Sequence, residues 1–443
     1  MAAIRVEQRA FIDEVRAALA PLLTKKYDTD FNILRWGIAF DYNKDKTVYK
    51  LGKHLKARKR MGLDDIEHSG LEFDPIAAEY LPLSILGRNR TDGDRLVVVD
   101  FGGRADIGGV MKSIQMTPYL NQRHRFMEKI MDEVVAIEKE TGKMSGVIYI
   151  FDLEGLSFDA SLVSVVTGPF RLTWTTMANH YREWIDKFVI INAPSFLNLL
   201  YAALSPFIPD KFKSRVVFTS SKWQEELLEM IDADHLPVHY GGTMKDPDGD
   251  ELCRSVLKVP GKVPKDLYWK PKEGDPKIDD MTSLSVSAAG QCVLGYEITA
   301  PDTVMEFFLY NEHECSFGIY FTTDPEKVII DVTAPDTVME FFLYNEHECS
   351  FGIYFTTDPE KVTDIKKMEQ VHMEITRAGL TTIDHFKFVC DRPGAYFVKF
   401  GNEGAWLMSV SVKYEIRFFD ANGAKLQPKE LHKMSTSSSW WFG

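Results

Sequence analysis

The sequence predicts a multidomain chain: a helical N-terminal region, then an α/β domain with a mostly parallel sheet, then an all-β sandwich. Three observations carry this reading. At 443 residues the chain is too long for one compact core. Between about 82 and 242, short runs rich in Val and Ile alternate with long helical stretches, as in strands joined by crossovers. From about 266 onward the helical period gives way to short apolar and polar alternation, the pattern of antiparallel strands.

The first region spans residues 1–70. Phe11, Val15, Ala18, Leu19 and Leu22 recur at helical spacing, and ILRWGIAF and TVYKLGKHLKARKRMGLD continue the period. The last run carries Lys50, Lys53, Lys56, Arg58, Lys59 and Arg60. These are read as a solvated helical face, with a membrane-surface patch as the alternative. GLDDIEHSG supplies the loop signals that end it.

The second region spans 71–245. PLSILG, RLVVVDFGG, GVIYIFDLEG, KFVIINAP and RVVFTS read as its strands, and helical stretches over about 109–141 and 160–184 are long enough for right-handed crossovers. After FVIINAP comes SFLNLLYAALSPF, which places Phe196, Leu197, Leu199, Leu200, Tyr201 and Leu204 on nearly every side. A helix that is apolar all round has no solvent face, so cover is expected on both flanks, from core alone or from core and an apolar ligand.

A linker over 246–265 leads to the sandwich over 266–425, with strands in SLSVSA, QCVLGYEI, VMEFFLY, FGIYFTT, FKFVC, AYFVKF and LMSVSVKYEIRFF. Residues 426–443 read as a loose tail holding Trp440 and Trp441. Within the sandwich, TAPDTVMEFFLYNEHECSFGIYFTTDPEKV occurs twice without a change, at 299–328 and 333–362, offset by 34 residues. Two undiverged copies do not make a solenoid. They indicate a recent tandem duplication or an error in the gene model. A sandwich has room for one such strand pair, so the second copy is expected to be extruded, swapped or packed at an edge.

Lys and Arg total 52 against 65 Asp and Glu, a net charge of -13, which argues against non-specific nucleic-acid binding. No run reaches the roughly 18 apolar residues of a membrane span. The N-terminus mixes acids and bases among its apolar positions and reads as an amphipathic helix, not a secretory signal. Five cysteines without CxxC spacing indicate a reducing cytosol. Motifs for covalent chemistry are absent: there is no GxSxG, no P-loop and no GxGxxG after a strand, and DFGGRADIGG has the glycines at the wrong spacing. DPDGDE lacks the downstream Glu of a calcium loop and reads as a polar turn. His313 with Cys315, and His347 with Cys349, fall short of a four-ligand site. His235 and His239 read as structural or surface residues. No enzyme activity, metal or cofactor is expected.

LPVHYGGTMKDPDG, FVIINAPSFLNLLYAALSPFIPDKFKSRVVF and GVIYIFDLEGLSF, in that setting, resemble the CRAL-TRIO lipid-binding family. SFGIYF and DRPGAYFVKFGN extend the resemblance to the branch with a C-terminal GOLD sandwich. The resemblance implies that the helix after FVIINAP and the segment to Arg215 form a mobile gate over an apolar pocket floored by the sheet. Its lining is then Phe151, Phe158, Leu162, Val165, Phe170, Ile190, Phe196, Leu197, Leu200, Tyr201, Leu204, Phe207 and Phe212. Glu183, Lys211, Lys213 and Arg215 are the expected headgroup or membrane contacts. Members that bind phosphatidylinositol resemble one another in a basic LRxLRARKFD run, an acid before the FYIINAP-like strand, and a Thr and a Lys after the gate. Here Phe40 and Asp41 stand where the basic pair would fall and Phe212 stands at the Thr, while Glu183 keeps the acid and Arg215 stands in for the Lys. These departures favour a less polar cargo, such as a tocopherol, retinoid, squalene or other isoprenoid. The expected function is binding and intermembrane transfer of a hydrophobic lipid by a cytoplasmic, peripherally membrane-associated protein, with a possible protein partner at the GOLD domain. The alternative is a membrane-trafficking adaptor or lipid sensor that recruits partners through that domain.

Overall fold

The structure, a computed structural model, describes residues 4–90, 93–158, 162, 165–205, 208–311, 315–322, 368–372, 375–402, 408–431 and 434–436. Two compact units emerge, one of Met1–Ser113 with Tyr119–Tyr268, the other of Ile114–Pro118 with Trp269–Gly443.

The first unit opens with three helices, α1 (Val6–Leu19), α2 (Asp30–Ala39) and α3 (Lys44–Met61). Thr29 caps α2 and Asn43 caps α3 by accepting from backbone N–H groups three residues on, satisfying donors that a helix start leaves free. Gly62, at φ 63°, ends α3 in the left-handed region. The basic face expected for this helix is only partly solvated. Arg58 is buried and grips Glu128 through two hydrogen bonds of 2.6 and 2.8 Å, with Asp64 on its other side. Helical spacing cannot reveal a carboxylate 70 residues away.

Next come α4 (Pro75–Tyr80), β1 (Leu83–Asn89), β2 (Arg95–Asp100), α5 (Ile107–Met111), α6 (Met116–Thr141) and β3 (Val147–Asp152). The single helical stretch expected over about 109–141 is thus two helices. Asp106 caps the first by accepting from Gly109 N–H. After a wide helical turn at Val166–Phe170 follow α7 (Arg171–His180), β4 (Ile185–Ile191), α8 (Leu197–Leu204), α9 (Asp210–Lys213), β5 (Val216–Phe218) and α10 (Trp223–Leu228).

The sheet runs β1-β2-β3-β4-β5. β1 is antiparallel to β2, and β2 through β5 are parallel, the mostly parallel arrangement expected. The register aligns Val98, Tyr149, Phe188 and Val216 in one row and Asp100, Phe151, Ile190 and Phe218 in the next. Because side chains alternate along a strand, both rows lie on one face. The other face carries Val97, Val99, Ile148, Ile150, Val189 and Ile191, packed against Leu227, Leu236, Tyr240 and Leu257. A side chain at Gly242 would run into the Leu236 carbonyl, which explains the glycine at the end of LPVHYGG.

Among the described residues, the second unit holds a seven-stranded and a five-stranded sheet, both antiparallel. Leu284, Tyr296, Phe307, Phe386, Tyr396 and Phe418 belong to one core shared by strands of both. Thr303–Asn311 and Cys315–Thr322, from the first repeat copy, enter different sheets, each with neighbours on both sides. The second copy, 333–362, and Trp440 and Trp441 lie outside the described residues.

Candidate functional site

The site is built on the face that carries the Tyr149 and Phe151 rows. Tyr149 stacks on Phe188 at 5.0 Å, with planes 13° apart, and Trp174 of α7 meets both rings edge-on at 5.6 and 5.1 Å. Phe170 lies 6.1 Å from Phe151, and Phe212 lies 5.9 Å from Phe188 and 6.3 Å from Trp174. A side chain at Gly102, just after β2, would overlap the Phe151 ring, so the glycine leaves room for that ring. Phe151, Phe170, Trp174 and Phe212 keep part of their surface exposed, although Phe151, Trp174 and Phe212 pack against the core.

α8 lies beside this face. It has no charged residue. Leu200 is buried, Leu197 packs against the core, and Tyr201 meets Phe218 edge-on at 5.0 Å. Leu199, however, is 64% exposed, so the expectation that every flank is covered fails on this side. Phe158, 51% exposed, touches Phe196 at 5.3 Å. Leu162 and Ile190 are buried, Val165 and Leu204 are half-buried, and Phe207 lies outside the described residues.

The charged positions named from sequence engage carboxylates of the same chain. Arg215 pairs with Glu183 and donates to Ile185 O at 2.7 Å. Lys211 donates to Asp41 at 2.5 Å and to Ile38 O at 2.8 Å; Lys213 pairs with Asp210 at 2.8 Å. Asp41 therefore serves as partner to the segment after α8. Phe40 sits between the Lys46 ammonium and the Arg182 guanidinium, 5.4 and 5.5 Å from its ring.

Sequence reasoning missed Tyr149, Phe188 and Trp174. The signal was there for two of them: Tyr149 and Phe188 precede Phe151 and Ile190 by two positions and share their face. It also missed a polar group at one end of the rings. Tyr149 Oη donates to Asp100 Oδ2 at 2.6 Å, and Tyr119 Oη lies 3.0 Å from Thr173 Oγ1, whose own proton goes to Pro169 O. The Arg123 guanidinium lies 5.3 Å from the Tyr119 ring. Burial raises the Asp100 pKa against the opposing pull of the Tyr149 hydrogen bond and the Arg123 charge. Burial, with Asp100 beside it, pushes the Tyr149 hydroxyl well above the ordinary tyrosine value.

On the opposite side of the sheet, Asp152, Glu154 and His239 come together, but Asp152 already accepts from Glu154 N, Asn192 and Tyr240, and Glu154 pairs with Arg104. Asp232, Asp234 and His235 also cluster, with His235 2.9 Å from Asp234. In DPDGDE, Asp246 and Asp250 accept from backbone N–H groups of their own loop. His313, His347 and Cys349 lie outside the described residues.

The CRAL/TRIO domain family matches residues 79–242, the sheet and α8 included. A "CRAL-TRIO domain-containing protein F28H7.8" of Caenorhabditis elegans is 37% identical over 426 residues, covering 96% of this chain and 93% of that protein. This chain belongs to the CRAL-TRIO family. The "F28H7_8_C:-like, C-terminal domain" family matches twice, over 267–334 and 328–427, so that the two matches meet across the repeat. A "Phosphatidylinositol/phosphatidylcholine transfer protein SFH9" of Arabidopsis thaliana is 25% identical over 60% of this chain and 48% of its own length. A "SEC14 cytosolic factor" of Kluyveromyces lactis is 27% identical over 53% of this chain and 78% of its own length. CRAL-TRIO proteins are generally lipid-binding transfer proteins and not enzymes. Among the described residues, no helix is long and apolar enough to cross a membrane.

Proposed function

We propose that this chain binds a hydrophobic lipid against the aromatic face of its sheet, with α8 as the gate, and carries it between membranes without covalent chemistry. The observation that carries the reading is the pairing of a partly exposed aromatic floor with a charge-free helix that leaves Leu199 open to solvent. Desolvated cover is what a lipid in transit requires, since each exposed methylene costs about 0.8 kcal/mol. Leu199 and Phe158 then supply apolar contact with a membrane when the gate opens. Lys211 and Lys213, released from Asp41 and Asp210, meet anionic headgroups at about 1 kcal/mol each. The protein works from the cytosol as a peripheral membrane protein, and its C-terminal unit is a GOLD-type sandwich that offers a surface to a protein partner.

Phe40, Asp41 and Phe212 are engaged within the chain, which favours a cargo less polar than an inositol phospholipid. Native mass spectrometry and lipid extraction of the purified full chain test the reading. A bound lipid, or uptake of labelled tocopherol, squalene or phosphatidylinositol, is expected. Failure of all of these ends it.

A further inference from the structure

Several arginines of this unit meet carboxylates. Arg35 grips Glu138 and stacks on Trp184, Arg58 grips Glu128 and Asp64, and Arg95 of β2 pairs with Asp186. Arg182 has no ion pair among the described residues but donates to Asn179 at 2.7 Å. Arg123 differs from all of these. Among the described residues no carboxylate lies within ion-pair distance of it, and its Nε is buried without a hydrogen-bond partner. A guanidinium left in this state is costly unless something supplies an acceptor.

Its surroundings limit what that acceptor can be. The side chain lies over Tyr119, close enough to Asp100 and Tyr149 for their charges and its own to influence one another. Tyr149 continues into the stacked rings with Phe188 and Trp174, so the polar group closes one end of the apolar floor. The neighbouring hydroxyls are already committed: Tyr149 donates to Asp100, and Thr173 donates to Pro169 O and accepts from Tyr119. Arg123 is left as the donor for a cargo. Such a site takes one compact oxygen acceptor. An inositol ring, with many hydroxyls to satisfy, does not fit this donor count.

We infer that Arg123 is the specificity-determining residue of the lipid site, and that it selects a lipid whose apolar chain ends in a carboxylate. The inference rests on the carrier reading above. A charge-assisted hydrogen bond to a carboxylate is stronger than one to a hydroxyl, and a hydrocarbon makes neither.

The test compares [1-13C]hexadecanoic acid, 1-hexadecanol and hexadecane on the delipidated full chain and on Arg123→Gln. The unsubstituted protein is expected to prefer the acid over the alcohol by on the order of tenfold or more. Arg123→Gln is expected to abolish that preference while hexadecane binding stays the same. Equal binding of acid and alcohol overturns the inference, as does a parallel loss of acid and hexadecane in the variant, which marks Arg123 as packing alone. Should Arg123→Gln fail to fold, Arg123→Lys keeps the positive charge, and the preference for the acid over the alcohol is expected to survive in it; equal binding of the two overturns the inference. If none of the three probes binds, this inference falls, while the carrier reading stands or falls with the lipid extraction and uptake above.

Discussion

The two faces of the five-stranded sheet come from the same strands and obey opposite rules. One presents Val97, Val99, Ile148, Ile150, Val189 and Ile191, each at most 1% exposed. The other presents Asp100, Tyr149, Phe151 and Phe188, with rings that touch each other and several neighbours that keep surface exposed. Small branched aliphatics interdigitate to a density that leaves no room for a guest. Flat rings with a polar group at one end form a surface that an elongated amphiphile can replace water on. Adjacent residues on one strand thus face opposite surroundings, a closed aliphatic layer and a set of rings with surface left open.

The largest effect is expected where that division is sharpest. Ile150→Ala on the aliphatic face should cost about 2–5 kcal/mol, read by urea or thermal unfolding, because the cavity cannot collapse in a dry, packed layer. Its neighbour Phe151→Ala should cost less stability and lower lipid loading more. The reverse ranking would break the comparison.

Next is acidity, which acts on the helical layer over the aromatic face. His54 and His180 place their Nδ1 atoms 3.0 Å apart, and His124 Nδ1 lies 3.1 Å from the Tyr181 hydroxyl, which donates to Glu128. Burial, helped by the other imidazoles and by Arg58, Arg182 and Lys53 nearby, holds all three below the ordinary histidine value, His180 at about 4. The unfolded chain takes up its proton near 6.5 and the folded one near 4. The stability is therefore complete above pH 6.5 and is lost as pH falls toward 4, on the order of 3 kcal/mol for His180 alone. Melting temperatures recorded from about pH 7 to about pH 5 should fall accordingly. A flat profile would show that these imidazoles charge without penalty.

Leu200→Asp acts on one face only. It should reduce lipid loading severalfold while the C-terminal unit melts unchanged, since Leu200 of α8 is buried and α8 has no charged residue to partner its replacement. Full loading in this variant would remove α8 from the site. The smallest change is expected from deleting 299–332, one period of the repeat. It leaves one copy of the strand pair that enters both C-terminal sheets, and stability should move by no more than about 1 kcal/mol. A large loss would mean that both copies are structural.

Much of this was legible in the sequence because its signals are local. Strand runs such as GVIYIFDLEG and KFVIINAP fall where strands form, and their alternation assigns Phe151 and Ile190 to one face. The same alternation places Tyr149 and Phe188 on that face. Two site features had no local trace. Leu199 looks like Leu200 in sequence, and only packing on one flank of α8 separates an exposed residue from a buried one. Arg58 and Arg123 look alike as helical bases, yet Arg58 meets Glu128 and Arg123 meets no carboxylate within ion-pair distance among the described residues.

By itself, then, the sequence determined the order of a helical region, an α/β domain and an antiparallel region, the family resemblance, and the presence of one helix without charge, because periodicity and composition act over a few residues. The tertiary structure alone decided which of the described cations meet a carboxylate and which side of α8 stays open. Both depend on groups brought together from distant parts of the chain, such as Arg35 with Glu138 across 103 residues. No local pattern encodes such a meeting.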